Sequence, residues 1–326
     1  MREAYVRALA EEGRNNPRIF GLVGDIGTFT YDEFKAACPD RFVNVGIAEC
    51  NMVGMAAGLA LEGQIPFVYS ITPFTTARAL EPIRVDVCYQ NLNVKIVGCG
   101  SGFSYSTLGC THHATDDIGL MRALPNMVVI SPADPPEAMR VVRAAVQHVG
   151  PVYIRIGRSK EPIITSEEQG FEIGKATQLR EGRDLTIIGT GSILFNALQA
   201  AERLHREEET DIEVINMATI KPIDREAIVR SAQKTGKILT LEEHSTLGGL
   251  GSAVAEVLAE EGIAIPFKRM GLDDKFCYEY GQHVDLARYS QIAEPCVANA
   301  VNSFYGKPPI YRGTEACGGC SICLRR

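Results

Sequence analysis

Short apolar runs alternate with stretches of helical spacing along almost the whole chain, and this alternation leaves few architectures open. A strand covered on both faces reads as an unbroken apolar run, and its parallel neighbour is reached only through a crossover that is usually a helix. In the first half the runs are Ile19–Val23, Phe42–Ile47, Pro66–Tyr69, Val94–Val97, Met127–Ile130 and Val152–Ile156. Helical patterns over Arg2–Glu12, Glu49–Leu61, Ala77–Tyr89 and Pro136–Gln147 lie between them. In the second half Leu185–Ile188, Ile212–Ile215, Ile238–Leu241 and Ile265–Arg269 continue the pattern, with no repeat of solenoid length. The reading is an α/β chain of two three-layer domains, each built on a parallel sheet.

The length of 326 residues suits two domains, at roughly 150 residues each. Polar residues dominate Arg158–Arg183, so the expected layout is a first domain over 1–165, a linker over 166–183, a second domain over 184–306 and a cysteine-rich tail over 307–326. A formal charge of -7 argues against a nucleic-acid partner. No apolar stretch approaches the roughly 18 to 20 residues of a membrane span. Met1–Arg14 is charged where a signal peptide would be apolar, and the expectation is a cytoplasmic chain with no membrane partner. Seven of the ten cysteines stand singly (Cys38, Cys50, Cys88, Cys99, Cys110, Cys277, Cys296) and are read as reduced, mostly buried thiols.

Two segments carry groups capable of chemistry. Gly46-Ile47-Ala48-Glu49-Cys50 places a carboxylate at a strand-to-helix junction, ahead of Gly54, Ala56, Ala57 and Gly58, which allow close packing. On this pentapeptide alone, a first-turn glutamate favoured by the helix dipole is a more natural reading than a catalytic one. Gly109-Cys110-Thr111-His112-His113 closes a polar, glycine-containing loop that follows the apolar run ending at Val97, and such loops carry ligands in α/β proteins. Adjacent histidines do not both face one site easily, so one is expected to be functional and the other structural or exposed.

These segments, with Gly24-Asp25, Asn44-Val45-Gly46-Ile47-Ala48-Glu49, Arg122-Ala123-Leu124-Pro125-Asn126, Pro132-Ala133-Asp134, Arg158, Met217–Asp224 and Glu242-Glu243-His244, give a chain that resembles the transketolase family over about residues 1–305. The Gly-Asp-Gly and distant Asn with which that family holds magnesium and the cofactor diphosphate are missing. The resemblance therefore implies the C-terminal subunit of a split transketolase. It would contribute the pyrimidine-binding and C-terminal domains, pair with a separate N-terminal diphosphate-binding subunit that supplies the Mg2+ ligands, and form a homodimer core within a heterotetramer. The implied cofactor is thiamine diphosphate and the implied reaction is transfer of a two-carbon ketol unit from a ketose to an aldose.

By the same resemblance Glu49 would hydrogen-bond N1′ of the aminopyrimidine and favour its imino tautomer, with Asp25, Gly46 and Ile47 also at the cofactor and Phe74 packed on the ring. His112 would contact the reacting oxygen of the substrate. Arg158 would hold sugar phosphate, with Arg155 as the competing candidate. Leu108, Cys110 and Gly100 depart from the family's aspartate, proline and upstream histidine, so an unusual or modified ketose is expected. The competing readings are the beta subunit of a 2-oxo acid dehydrogenase decarboxylase component, a deoxyxylulose-phosphate-synthase-like condensing enzyme, and a non-catalytic regulatory subunit. Gly189-Thr190-Gly191-Ser192, Gly248–Ser252 and His244 are read as structural. In the tail, Cys317, Cys320 and Cys323 are spaced to converge on one soft metal, zinc or an iron–sulfur cluster, given a fourth ligand such as Cys277, Cys296 or one from the partner; a plain thiol tail is the alternative.

Overall fold

The computed structural model describes residues 1–27, 29–158, 160–166 and 168–309. Cys317, Cys320 and Cys323 lie outside the described residues. The chain forms two compact units, Met1–Ser101 with Asp117–Ile173, and Gly102–Asp116 with the chain from Gly174 onward.

The first unit runs α1 (Arg2–Asn15), β1 (Ile19–Val23), α2 (Asp32–Ala37), β2 (Phe42–Asn44), α3 (Glu49–Leu61), β3 (Ile65–Ile71), the short turns α4 (Thr72–Thr75) and α5 (Leu80–Pro82), a π-helical turn over Ile83–Cys88, β4 (Lys95–Cys99), α6 (Asp117–Arg122), β5 (Val128–Ile130), α7 (Pro135–Gln147) and β6 (Val152–Ile156). Its strands lie in the order β5-β6-β4-β3-β1-β2, all parallel. Every residue of β3, β4 and β6 is buried, which is why these strands read as continuous apolar runs. Tyr5, Leu9, Val141, Val142 and Ala145 from α1 and α7 share one core with Ile19, Phe67, Val97 and Ile154. The alternate residues Leu22, Val68 and Ile96 are just as buried, so both faces of the sheet are covered. Helix α7 starts where Asp134 accepts a hydrogen bond from the Glu137 amide at 2.9 Å and prolines fill its first two positions, as helix starts favour.

The second unit contains β7 (Thr177–Arg180), β8 (Leu185–Gly189), α8 (Leu194–Glu208), β9 (Ile212–Asn216), β10 (Thr219–Lys221), α9 (Arg225–Thr235), β11 (Ile238–Ser245), α10 (Leu250–Glu260), β12 (Phe267–Leu272), α11 (His283–Tyr289) and α12 (Glu294–Ser303). Its sheet has the order β12-β11-β8-β9-β7, parallel except for the edge strand β7, which runs against β9. Strand β7 lies inside the polar stretch expected to be a linker. Among the described residues no helix is long and apolar enough to cross a membrane. The seven single cysteines are free thiols, but the expectation that most are buried needs correction: Cys38, Cys88 and Cys99 are buried, Cys277 and Cys296 half-buried, and Cys50 and Cys110 exposed. Exposure follows from their place, at the first turn of α3 and in the glycine-containing loop.

Lys95, the first residue of β4, is fully buried, and its ammonium donates to the carbonyls of His148 at 2.8 Å and Gly150 at 2.7 Å. Burial pulls its pKa from 10.5 down to about 7. Between these values the unfolded chain holds a proton that the folded chain has released, so stability attributable to Lys95 rises with pH. Urea unfolding of wild type and Lys95→Met from pH 7 to 10 should show a difference that moves in favour of wild type by up to about 1.4 kcal/mol per pH unit. A difference that stays flat with pH would mean that the amine titrates as an ordinary lysine.

Candidate active site

The carboxyl ends of β1, β2 and β3 lie side by side, the place where open parallel sheets present ligand-binding groups. Asn44, at the end of β2, ties this edge together. Its Oδ1 accepts from the amides of Asp25 and Gly46, both at 3.1 Å, and its Nδ2 donates to Asp25 Oδ1 at 2.9 Å. Gly46 takes φ +79°, turning the chain so that Glu49 opens α3, while Ile47 projects into solvent with 77% exposure. Glu49 is only 3% exposed. Its Oε1 accepts from the Ser70 hydroxyl at the end of β3, at 3.3 Å, and its Oε2 lies 2.9 Å from Arg78 Nη1. The Arg78 guanidinium in turn sits 4.2 Å from the centre of the half-buried Phe74 ring. Glu49, Phe74, Asp25, Gly46 and Ile47 thus all lie on the first unit, with the acid and the aromatic joined through one arginine. Sequence reasoning missed Arg78, although it stands four residues after Phe74, the spacing at which side chains meet along a helical path.

Such a set suits the pyrimidine half of thiamine diphosphate. A carboxylate shielded from water can hydrogen-bond a ring nitrogen, and an aromatic beside it offers a stacking face. Among the described residues no group of three or more His, Cys, Asp or Glu side chains is arranged to hold a metal ion.

The histidine loop belongs to the second unit and is held by a buried carboxylate of β11. Glu243 Oε1 accepts from the Phe103 amide at 3.1 Å and from His283 Nε2 at 2.7 Å. Ser245 N–H donates to the Thr115 carbonyl at 2.8 Å, and Gly102 and Ala114 exchange a bridge that closes the loop. His113 is buried edge-on to Phe103, with Nε2 3.4 Å from the Ser106 carbonyl, whereas His112 is half-buried with Nδ1 2.9 Å from the Thr111 hydroxyl. Burial pushes both imidazoles below the usual histidine value. His112 is the more accessible of the two.

Other residues singled out in the sequence have structural work to do. Arg155 is buried in an ion pair with Asp117 at 2.7 Å, and Asp117 also accepts from Tyr153 Oη at 2.6 Å; Arg158, just past β6, is exposed. Asp224 starts α9, and Glu242 accepts from the first amides of α10, Leu250 and Gly251, at 2.7 and 2.8 Å. His244 is buried, with Nδ1 2.7 Å from the Ser245 carbonyl.

Two mostly parallel-sheet units, the first carrying a shielded glutamate joined to an aromatic through Arg78, set the class of chain with which the comparisons agree. Residues 1–162 match the family "Transketolase, pyrimidine binding domain" and residues 174–291 the family "Transketolase, C-terminal domain". The chain belongs to the transketolase family, and within it to the split type in which these two domains form a subunit of their own. It is 42% identical over 277 residues, 85% of each chain, to the 6-deoxy-6-sulfo-D-fructose transketolase subunit SqwH of Clostridium sp. (strain MSTE9). It is 38% identical over 290 residues, 88% of this chain and 92% of the other, to an apulose-4-phosphate transketolase subunit of Phocaeicola vulgatus. A solved structure described as "Split gene transketolase, inactive beta4 tetramer" shares 44% identity with a TM-score of 0.84, covering 93% of this chain and 96% of that one. The activity is accordingly transketolase-like, a transfer of ketol groups that depends on a partner chain.

Two glycines separate strain from collision. Gly102 has φ +54°, and a Cβ there would stand 2.3 Å from the Glu243 carboxyl carbon; Gly46 has φ +79° with open space around it. Gly102→Ala should cost about 2 to 4 kcal/mol in urea unfolding and Gly46→Ala about 1 kcal/mol. Equal losses would show that the histidine loop is not seated on Glu243.

Proposed function

We propose that this chain, bound to a diphosphate-binding partner that supplies the Mg2+ ligands, forms a thiamine-diphosphate-dependent transketolase acting on an unusual or modified ketose. The observation that carries the reading is the Glu49 carboxylate, shielded at the carboxyl edge of the first sheet and joined to Phe74 through Arg78. Thiamine diphosphate supplies the nucleophilic carbon and the electron sink of the reaction. Glu49 holds a hydrogen bond at N1′ of the aminopyrimidine, in a position dry enough for the proton to be shared rather than lost to water. Phe74 offers the ring a stacking face, while Asp25 and Gly46, fixed by Asn44, and the neighbouring Ile47 shape the adjoining edge. His112 donates a hydrogen bond to the reacting oxygen. Arg158 takes an anionic group on the sugar, a role for which Arg155 is less suited because Asp117 already engages it.

Two observations support the partner and the substrate. Helix α3 leaves Gly54, Met55, Gly58 and Leu61 exposed, an apolar face that suits contact with another chain. The relatives at 42% and 38% identity are described by a sulfonated hexose and by apulose 4-phosphate, neither a standard pentose phosphate, and Leu108, Cys110 and Gly100 replace the groups that read ordinary donors. Two copies of each chain are the expected assembly, and the cytoplasm the expected compartment. The soft-metal reading of Cys317, Cys320 and Cys323 rests on their spacing. Zinc and iron analysis of anaerobically purified protein decides it, and a metal-free preparation would end it.

Glu49→Gln should fold as wild type and co-purify with the partner, yet lose ketol transfer by at least about 100-fold in a coupled assay; near-normal turnover would remove the acid from the mechanism. The chain purified alone should show no turnover. In the same assay a standard pentose phosphate should be the poorer donor beside a modified ketose, and equal kcat/KM values would refute the substrate assignment.

A further inference from the structure

Arg78 makes the two contacts that the reading above assigns to the cofactor ring. Its guanidinium lies over the Phe74 ring, 4.2 Å from the centroid, and its Nη1 points at Glu49 Oε2 from 2.9 Å. A guanidinium and the aminopyrimidine have two things in common: both are flat, delocalised and able to stack on an aromatic face, and the ring in its N1′-protonated or imino form presents an N–H to a carboxylate as the guanidinium does. Glu49 is 2% exposed at its side chain, so a partner for Oε2 offsets much of the cost of holding the charge there. The arginine side chain is 45% exposed, so the guanidinium has a direct route to water.

The local backbone favours a swinging arm on a fixed base. Arg78 lies in the turn between α4 and α5, outside either helix. Its amide donates to the Pro73 carbonyl at 3.1 Å, and its carbonyl accepts from the Cys50 thiol at 3.3 Å. Rotation about the side-chain bonds alone can therefore clear Phe74 and Glu49 without unmaking the turn.

We propose that Arg78 is a removable occupant of the pyrimidine seat. Its guanidinium keeps the buried acid paired and the aromatic face covered until the ring enters, and it then leaves for solvent. The idea rests on the assignment of Glu49 and Phe74 to the cofactor. An occupant of this kind taxes binding, because the ring's apparent affinity falls by the fraction of molecules in which the arm is closed.

The test uses the full chain and 4-amino-5-hydroxymethyl-2-methylpyrimidine, the ring half of the cofactor, with affinity read by ligand-observed NMR titration. Arg78→Met keeps the apolar stem without the guanidinium and should bind the probe about tenfold more tightly than wild type. Adding Glu49→Gln to that variant should weaken binding again. In wild type the Arg78 Nε–Hε resonance, shifted by the Phe74 ring, should move toward its solvent position as the probe is added. Should Arg78→Met not fold, Arg78→Lys, which keeps the charge but loses the flat stacking face, should give a smaller gain in the same direction. Unchanged or weaker binding in the arginine variants, with binding still sensitive to Glu49→Gln, overturns the removable occupant and leaves the cofactor assignment standing. No binding in any variant, or binding indifferent to Glu49→Gln, overturns both.

Discussion

A carboxylate taken out of water must find hydrogen-bond donors, and the arrangement of the first unit follows from how that need is met at Glu49. Parallel pairing brings the ends of β1, β2 and β3 to one edge, so a serine from β3 and a helix start after β2 fall within reach of each other. The positive-φ turn at Gly46 aims the chain, and Asn44 fastens that turn to Asp25 across the strand gap. The acid is thereby placed at the first turn of a helix, whose dipole favours negative charge, and is held there by side chains from two further elements. Ser70 and the helix start fix where the carboxylate sits, so its position does not depend on the exposed Arg78 arm alone.

The second unit uses buried carboxylates differently. Glu242 satisfies the opening amides of α10, and Glu243 pins the amide of Phe103. Asp134 and Asp224 perform similar capping for α7 and α9. Many residues that carry the family resemblance are therefore holders of backbone rather than agents of chemistry. This explains how a chain can depart at Leu108, Cys110 and Gly100, where a donor sugar would be read, while keeping the same fold. Glu243 and the Ser245 amide hold the backbone of the loop at Phe103 and Thr115, and side chains between those points can vary.

The strands legible in the sequence are those covered on both faces, because only they demand unbroken apolar runs; β3, β4, β6, β8 and β9 fall where the runs do. Strand β7 was hidden, since Thr177–Arg180 is a half-exposed edge strand with a single antiparallel neighbour and needs no apolar run. The continuous helix expected over Ala77–Tyr89 is instead a turn, a short α-helical piece and a π-helical turn, with Pro82 at the break because it has no amide to give. The grouping of Gly102–Asp116 with the second unit depends on contacts such as Phe103 to Glu243, 140 residues apart, which no local pattern encodes. Of the candidate site, Glu49 was legible from its junction and its glycine-rich helix. Its tie to Arg78 required the broken helix to be seen.

Helix α3 connects these themes. On a surface helix the outward face is ordinarily polar, yet here Gly54, Met55, Gly58 and Leu61 face out while Met52, Val53 and Ala56 face the sheet. Such a helix is in balance only when both faces are covered, and small residues on the outer one let another backbone come close. Its first residue is the acid. The element that fixes the buried acid is thus also the one with an exposed apolar outer surface, and on the proposed reading this gives a physical reason for a pyrimidine-binding subunit to acquire its activity in assembly rather than alone.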